Sequence, residues 1–379
     1  MTFSPEELRD LFPACREGVY LNHGGVAPTS TRVRDAVNTW MEDLVLHGIA
    51  GEDDWEMRTD EIRARVAELI GAQASEIAFV RNTSHGLGLV AEGLEWSEGD
   101  EVAICVEEEY PSNIYPWQHL AGRGVEVRPI PATGRGVSVS AVSEQITPRT
   151  RLVAVSSVQY TSGSVTDLVE LGRLCRERNV LLCVDGIQSV GAFPLDVEEA
   201  GIDFLSADSH KWMLGLPGVG FLYVSHRVVD RVRPVLVGWK STTDCWNFDR
   251  ALYDLRSDAS KFEEGSPCYP AIYGLGAAID LLLEIGVERI AERITGLLDR
   301  LAIGLKTLGC EISPDPGNRA GILTFTPRRG ESQALLEHLE SHQIQVSLRR
   351  NRIRVSPHVY NTEDEIDRVL EVVGSFLVD

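Results

Sequence analysis

The chain has 379 residues, of which 43% are hydrophobic and 25% are charged, a composition typical of a globular protein with a large buried core. Its net charge of −21 at pH 7 argues against a nucleic-acid surface, because binding to phosphates requires a positive field. The length exceeds that of most single domains, so we expect one large and one small domain.

The sequence contains no window of 18 apolar residues and no signal peptide at its N-terminus. We therefore expect a cytoplasmic protein that does not bind a membrane. Its seven cysteines are an odd number and form no Cys-x-x-Cys pair, which favours free thiols over disulfides or a zinc site. No metal site is predicted.

Short apolar or β-branched segments predict buried parallel strands in the first two thirds of the chain. They cover residues 76–80, 101–106, 125–131, 151–158, 180–186 and 220–225. Segments with the apolar spacing of helices lie between them, for example after Ser84 and after Thr166. The predicted fold class is therefore α/β, with a large, doubly wound and mostly parallel sheet.

The pattern changes near residue 270, where a long apolar-periodic segment predicts one or two long helices. Short strands and helices follow, with strands at 320–327, 344–349 and 352–357 and helices at 332–343 and 362–378. This order predicts a smaller α+β domain. We assign residues 20–255 to the large domain, and residues 256–379 together with 1–19 to the small one.

Polar or aromatic side chains follow four of the predicted strands: Ser84, Tyr110, Tyr160 and Asp185. Ligands of open α/β sheets bind beyond the carboxyl ends of the strands, so these side chains indicate one crevice.

Thr83, Ser84 and Gly86 stand where a strand gives way to a helix. Hydroxyl groups and free backbone N–H groups at such a position form a phosphate site, although a simple helix cap explains them as well.

Asp185 comes directly after an apolar strand, where a carboxylate is unfavourable unless it is paired. One partner is a protonated pyridine nitrogen, and the alternative is a structural Asp that caps the next helix. Gln188 would reach the same crevice.

Lys211 stands among apolar residues in "ADSHKWMLG", and a desolvated Lys becomes a Schiff-base nucleophile, whereas the alternative is a Lys at the start of a loop.

A phosphate site, an Asp for a ring nitrogen and a Lys for an aldehyde together indicate pyridoxal 5′-phosphate. The motifs "DGIQSVG", "SHKW" and "FEEGSP" follow one another in that order. With them the sequence resembles the class V aminotransferases, fold type I pyridoxal-phosphate enzymes that include cysteine desulfurases, selenocysteine lyases and isopenicillin N epimerases. The resemblance extends from "YLNHGGVAPTS" to about residue 367.

The resemblance implies a role for each matching residue. Lys211 would form the Schiff base with the cofactor, Asp185 would pair with the pyridine nitrogen, and Gln188 would donate to the phenolic oxygen. The phosphate would be held at the helix that begins near Thr83, by Ser84 and His210. Tyr110 occupies the position at which desulfurases stack a His on the pyridine ring.

Further residues are implied near the substrate and at a subunit interface. Ser266, in "EEGSP", would reach the phosphate of a neighbouring subunit, which implies a homodimer with shared active sites, although a plain helix start explains it equally well. Arg354 would anchor the substrate carboxylate, a task suited to a guanidinium, unless it is a surface Arg on a strand. The other residues implied near the substrate are Asn22, His23, Gly24 and His358.

The chain departs from the desulfurases just before Arg354. Desulfurases insert a loop with a nucleophilic Cys there, whereas "QVSLRRNRIRVS" contains a tight turn and no Cys. Cys310 comes about forty residues earlier and is expected to be a buried structural thiol. The opening "LNHGGVAP" is closer to the epimerase-like branch.

We therefore expect an enzyme that acts on a small α-amino acid. The amino acid would replace Lys211 on the cofactor, and the released Lys211 amine would remove the Cα proton. The expected reaction is aminotransfer or epimerisation, and the alternative is cysteine desulfuration or another C–S lyase β-elimination. A catalytically silent binding protein and a nicotinamide dehydrogenase are less compatible, because the Lys, Asp and Arg set is intact and no dinucleotide fingerprint opens a helix.

Overall fold

Strands and helices alternate in the computed structural model, which describes residues 3–133, 136–249, 252–314 and 316–378. The strands are β1 (Val19–Tyr20), β2 (Ile77–Val80), β3 (Glu101–Ile104), β4 (Glu126–Pro129), β5 (Thr150–Ser156), β6 (Leu181–Asp185), β7 (Phe204–Asp208), β8 (Gly220–Val224), β9 (Glu311–Ser313), β10 (Leu323–Thr326), β11 (Ile344–Gln345), β12 (Ser347–Arg349) and β13 (Arg352–Val355). The α-helices are α1 (Pro5–Asp10), α2 (Thr31–His47), α3 (Glu52–Ile70), α4 (Thr83–Gly93), α5 (Tyr115–His119), α6 (Val139–Gln145), α7 (Leu168–Arg178), α8 (Tyr269–Ile285), α9 (Val287–Thr307), α10 (Ser332–Ser341) and α11 (Glu363–Val378).

The large sheet has the strand order β2-β8-β7-β6-β5-β3-β4. β8 is antiparallel to both of its neighbours, and the other paired strands are parallel. This confirms the predicted α/β fold with a mostly parallel sheet. The prediction that the strand at 220–225 is parallel was wrong, because β7 and β8 are joined directly by a loop without a crossover helix.

Strand β7 was not predicted, because polar residues interrupt its apolar pattern, yet the whole strand is buried. Its polar groups have partners within the sheet and next to it. Asp203, just before the strand, accepts a hydrogen bond from the Leu182 amide at 2.9 Å. The Asp208 amide donates to the Thr83 hydroxyl at 3.0 Å. Satisfied polar groups of this kind can be buried at small cost, so an apolar pattern alone does not find the strand.

The long helical segment after residue 268 forms two helices. Helix α8 ends at Ile285 and is followed by Gly286, whose φ of 91° favours glycine, and α9 starts at an angle of 79° to α8. Among the described residues no single helix has the length and apolarity of a membrane span, although these two bent helices reach that threshold as a pair.

A second sheet, of order β12-β13-β10-β9, is antiparallel. β1 pairs in parallel with β11, so residues near position 20 lie beside the C-terminal part of the chain. Helix α8 packs against α2 and α3, which belong to the predicted large domain. Contacts therefore cross the predicted boundary at 255/256, and the division into two domains stays a prediction.

A buried ion pair fixes helix α3 to the edge of the large sheet. Arg63 donates to both carboxylate oxygens of Glu263, at 2.5 and 3.1 Å, and to the carbonyl oxygen of Ile77 at 3.0 Å. Glu263 also accepts from the Phe79 amide at 2.8 Å. The side chains of both ionic partners are about nine-tenths buried, so neither charge has water as an alternative partner.

We predict that Glu263→Ala lowers the free energy of unfolding by about 3 kcal/mol or more, because it leaves the buried Arg63 charge with one carboxylate only, that of exposed Asp60 at 3.4 Å. Urea denaturation measures the effect. The control is Glu177→Ala, which breaks an exposed pair with Arg173 and should leave the midpoint nearly unchanged. Equal midpoints for Glu263→Ala and the parent would contradict the prediction.

Candidate active site

A cavity of about 390 Å³ opens at the carboxyl edge of the parallel strands. It is lined by residues that follow β2, β3, β5, β6 and β7, by the loop at 24–26, and by two arginines of the second sheet. The sequence-predicted residues in its wall are Thr83, Ser84, Tyr110, Asp185, Gln188, His210, Lys211 and Arg354, together with Gly24 and Tyr160. Distant parts of the chain therefore meet in one crevice, as predicted.

In this cavity Asp185 is buried and Lys211 is half-buried. Burial raises the pKa of Asp185 to about 7, against a hydrogen bond from the Ile187 amide at 3.0 Å that favours the carboxylate. Burial also lowers the pKa of Lys211 to about 8, while the negative charge of Asp185 opposes this shift. The Lys211 amine has no hydrogen-bond partner in the described part of the chain, so it is available as a nucleophile or base.

The N-terminus of α4 forms one end of the cavity. Asn82 caps the helix by accepting from the His85 amide at 2.8 Å, and the amides of Thr83 and Ser84 are in the first turn, where intrahelical partners are missing. The Ser84 hydroxyl lies 2.6 Å from that of Ser112. Hydroxyl groups and free amides at a helix N-terminus suit a phosphate.

His210 lies beside this end, with its Nδ1 atom 2.9 Å from Asp208 Oδ1. Asp208 ends strand β7 and also lines the cavity, but it was assigned no role from the sequence because the strand itself was not predicted.

Aromatic and amide side chains line the cavity between the α4 N-terminus and its opposite end. Tyr110 packs edge-on against Tyr160, with 5.1 Å between ring centroids, and Lys211 Nζ lies 5.8 Å from the Tyr110 centroid. The Gln188 side chain donates to the Gly24 carbonyl at 3.1 Å and accepts from the Trp212 indole at 2.8 Å. These two bonds fix the orientation of the Gln188 amide and leave its second N–H for a ligand.

Arg354 is 1% exposed and lies at the other end of the cavity. It donates to the Ser347 hydroxyl at 3.1 Å, to the Tyr160 carbonyl at 2.9 Å and to Asn22 Oδ1 at 3.3 Å. All three acceptors are neutral, and no carboxylate of the described residues lies within ion-pair distance of it. Burial lowers the pKa of Arg354 to about 9, and the positive charge of Arg349 adds to that effect. The buried guanidinium therefore favours an anionic ligand.

His23 and His358 do not line the cavity but lie buried behind it. His23 contacts the Ser356 carbonyl at 2.8 Å and the Tyr360 hydroxyl at 2.5 Å. His358 Nε2 is 3.1 Å from the carbonyl of Trp212, the residue after Lys211. Burial lowers the pKa of His358 to about 4 and that of His23 well below its usual range. Their contact with a substrate stays a prediction. The contact of His358 with the Trp212 carbonyl favours a role in holding the segment that contains Lys211 in place.

Ser266 is exposed and lies outside this cavity, in a groove with Arg81, His85 and Glu264. Its predicted role at a neighbouring subunit stays a prediction.

None of the seven cysteines lines the cavity, and all are free, within the ranges described above. Cys310 is buried at the turn after α9, as predicted. Strands β12 and β13 are joined by Arg350 and Asn351 alone, with φ of 47° and 61°, so the turn has no room for a Cys loop.

Comparisons with known proteins agree with this geometry. Residues 19–369 match the family model described as Aminotransferase class-V. The chain belongs to the class V aminotransferase family. Members of this family are pyridoxal 5′-phosphate enzymes of fold type I, so the predicted family, fold and cofactor are confirmed.

Several similar proteins of this family carry sulfur-related names. A probable cysteine desulfurase of Methanothermobacter thermautotrophicus is 31% identical, with 97% of each chain covered. The apo structure of a cysteine desulfurase from Thermococcus onnurineus NA1 superimposes with a TM-score of 0.90 at 26% identity, covering 99% of this chain and 98% of that one. The cystine C–S lyase C-DES, solved with its product cysteine persulfide, superimposes with a TM-score of 0.90 at 27% identity, covering 96% and 99%. A C-DES variant has been solved with glycine covalently linked to the PLP cofactor.

The residues in the cavity fit pyridoxal 5′-phosphate. A buried carboxylate at Asp185 requires a cationic partner, which a pyridinium nitrogen supplies, and the available Lys211 amine suits an aldehyde. The α4 N-terminus, which lines the same cavity, supplies donors for a phosphate.

We predict that Asp185 makes the stability of the apoprotein depend on pH. Its pKa is about 7 when folded, against 3.8 for the unperturbed group, so the folded state binds the extra proton between these values. The contribution of Asp185 to stability is therefore present at low pH and is lost as the pH rises from about 4 to about 7.

Asp185→Asn should flatten this part of the profile of unfolding free energy against pH, measured by urea denaturation without cofactor. Asp10→Asn, which changes an exposed carboxylate, is the control and should keep the parent slope. Identical profiles for Asp185→Asn and the parent would disprove the assignment.

Proposed function

We propose that the protein cleaves a C–S bond in a small α-amino acid by β-elimination, starting with removal of the Cα proton by Lys211. One observation carries the proposal: the buried Arg354 guanidinium has only neutral partners and lines the same cavity as the Lys211 amine. An α-amino acid supplies both of the groups that this arrangement lacks, a carboxylate for Arg354 and an amino group that can replace Lys211.

Arg354 would bind the substrate carboxylate and so fix its orientation. Its own position is set by the Ser347 hydroxyl, the Tyr160 carbonyl and Asn22. Gly24 allows a close approach, because a Cβ atom there would lie 3.3 Å from the guanidinium carbon.

Pyridoxal 5′-phosphate would supply an electron sink for the pair of electrons left at Cα. Asp185 would hold a proton on the ring nitrogen, and Gln188 would donate to the phenolic oxygen. Ser84, His210 and the first amides of α4 would hold the phosphate, and Tyr110 would cover the ring.

Lys211 would act as the base once the substrate has released it. A pKa near 8 leaves a useful fraction of the amine neutral at physiological pH, whereas an ordinary Lys would be almost fully protonated. Cationic Arg354 and Arg349 both favour the neutral form.

The names of the relatives support sulfur chemistry over the aminotransferase or epimerase reaction that the sequence motifs favoured. Transfer of sulfur to a protein thiol is not supported, because no Cys lines the cavity within the described residues. β-Elimination needs no protein thiol. For L-cysteine the balance would be cysteine plus water giving pyruvate, ammonia and hydrogen sulfide.

A second candidate, transamination or epimerisation, begins with the same removal of the Cα proton. The "LNHGGVAP" opening, which is closer to the epimerase-like branch, favours it. The products distinguish the two.

We also propose a homodimer. Trp239, Trp246 and Phe248 form an aromatic cluster, with 4.9 Å between the two indole centroids. Trp246 is 49% exposed and Phe248 74% exposed, and the neighbouring segment 235–237 is also apolar and exposed. Such a surface is typical of a subunit interface. Ser266, exposed and outside its own cavity, would then reach the phosphate of the second subunit.

The reaction is tested by supplying L-cysteine to the holoenzyme. We expect pyruvate, ammonia and sulfide in equal amounts, without protein-bound sulfane sulfur. Lys211→Ala should lower the rate at least 10²-fold, because a positioned base contributes about that much. Arg354→Gln should raise KM about tenfold or more, the effect of a lost charge-assisted hydrogen bond.

Alanine together with a protein-bound persulfide would instead indicate a desulfurase. Exchange of the Cα hydrogen with solvent deuterium, without pyruvate, would favour the second candidate.

The homodimer is tested by light scattering coupled to gel filtration. The parent should have twice the chain mass, and Phe248→Asp should shift it towards the monomer, because the interface would bury an unpaired charge. Ile303→Asp, at an equally exposed apolar position on α9, is the matched control and should stay dimeric. Ser266→Ala should keep the dimer and weaken retention of the cofactor. A monomeric parent with full activity would overturn the proposed homodimer and the proposed role of Ser266.

A further inference from the structure

Glu109 is another buried carboxylate near Asp185, and no sequence motif pointed to it. It lies on the loop after β3, directly before Tyr110, and is 2% exposed, yet it does not line the cavity. Ser156, which ends β5, is paired in register with Asp185, which ends β6. Such partners in parallel strands share a face, and neighbouring strands are about 4.8 Å apart. Since the Ser156 hydroxyl donates to Glu109, the two carboxylates lie on either side of one serine.

Four hydrogen bonds surround the Glu109 carboxylate. Its Oε1 atom accepts from the Ser156 amide at 2.8 Å and from the Gln159 side chain at 2.9 Å. Its Oε2 atom accepts from the Ser156 hydroxyl at 2.5 Å and from the Asn113 side chain at 2.9 Å.

Two of these donors cannot reverse their role. A backbone amide can only donate, as that of Ser156 does to Oε1. The oxygen of the Asn113 side chain accepts from the Trp117 indole at 3.0 Å, which turns the Asn113 NH₂ group towards Oε2 of Glu109. Each oxygen of Glu109 therefore has at least one permanent donor, and the four bonds together match the acceptor capacity of an ionised carboxylate.

Glu109 differs in this respect from Glu263, whose buried carboxylate is paired with Arg63. All four donors to Glu109 are neutral. Burial raises the pKa of Glu109, and the four hydrogen bonds limit that rise. Besides burial, the negative charge of Glu109 raises the pKa of Asp185, whereas the charge of Lys211 lowers it. The two carboxylates therefore act on each other.

The other titratable groups around the two carboxylates are Cys183 on β6 and, on the loop that carries Glu109, Cys105 and Glu108. Burial raises the pKa of the Cys105 thiol to about 11 and that of Cys183 well above its usual value, so both thiols are neutral at physiological pH. Neither thiol offsets the negative charge of the carboxylates. A cation on the cofactor ring at Asp185 would therefore interact with two anions.

We propose that Glu109 helps Asp185 to keep a proton on the ring nitrogen of the cofactor, as a second anion that acts through Asp185. This inference rests on the proposed function, because it takes Asp185 as the partner of the ring nitrogen. Glu109 is a positioning residue, since it does not line the cavity. Its charge would keep the ring a strong acceptor for the electron pair left at Cα.

The test uses the holoenzyme loaded with cofactor that carries ¹⁵N at the ring nitrogen, whose NMR shift reports whether the nitrogen is protonated. Glu109→Gln removes the charge with little change in shape. We expect the pH at which the ring nitrogen loses its proton to fall by about one unit, the size of effect that one unit charge has inside a protein. Glu107→Gln, at a half-buried position of the same loop, is the matched control and should titrate as the parent does.

Kinetics separate this role from a purely structural one. Glu109→Gln should lower kcat for the formation of pyruvate and leave KM nearly unchanged, because the substrate does not contact Glu109. Neutron diffraction from deuterated crystals of the parent holoenzyme tests the same charge without a variant. We expect a deuteron on the ring nitrogen and none on Glu109.

A deuteron on Glu109 in the parent, or equal titration of the ring nitrogen in Glu109→Gln and the parent, would overturn the inference and leave the proposed function intact. A ring nitrogen without a proton in the parent would overturn it together with the role of Asp185. Failure of the parent to form pyruvate from L-cysteine would instead refute the proposed reaction, whatever the state of the ring nitrogen.

Discussion

The requirement that parallel strands be joined by crossovers determines where the chemistry of this protein lies. Each crossover brings the next parallel strand into the sheet in the same direction, so the loops after β2, β3, β5, β6 and β7 all open at one edge. Lys211 and Asp185 are 26 positions apart but follow adjacent strands for this reason. The antiparallel β8 returns the chain to this sheet without adding a helix. At this edge the second sheet contributes Arg349 and Arg354 to the cavity wall.

The site carries charges that do not favour folding. Asp185 and Arg354 are buried and Lys211 is half-buried, and desolvation shifts the pKa of each towards its neutral form. Elsewhere the chain pairs its buried charges, as at Arg63 and Glu263. The difference indicates that the cavity is organised for groups that arrive from outside, with cofactor and substrate completing the charge balance.

The sequence was sufficient for most of the architecture and for the cofactor end of the site. Six strands, the helices between them, and the positions of Asp185 and Lys211 followed from apolar periodicity and strand ends. Strand β7 did not, because Asp203 and Ser206 are satisfied only by tertiary partners, the Leu182 amide for Asp203 and the Thr83 carbonyl for Ser206. A one-dimensional pattern contains no information about such partners.

The positions of other residues relative to the cavity could not be predicted, because sequence motifs contain no three-dimensional distances. His23 and His358 share their segments with Asn22 and Arg354 but lie behind the cavity wall. Arg349 had no motif at all and emerged only from the pairing of β12 with β13. The reaction type differed too, since branch motifs favoured epimerisation whereas the relatives have names related to sulfur.

The pairing of β1 with β11 also determines when the site can form during synthesis. Asn22 bonds to Arg354 across 332 positions, and the Gly24 amide bonds to the Ser356 hydroxyl across an equal separation. Contacts between such distant positions are made late, because a long loop must close first and the last strand must have left the ribosome. The large sheet, from β2 to β8, is complete about 130 residues earlier. In a nascent chain, the residues of the large sheet that would hold the cofactor are therefore in place before Arg354, which would bind the substrate carboxylate, has been synthesised.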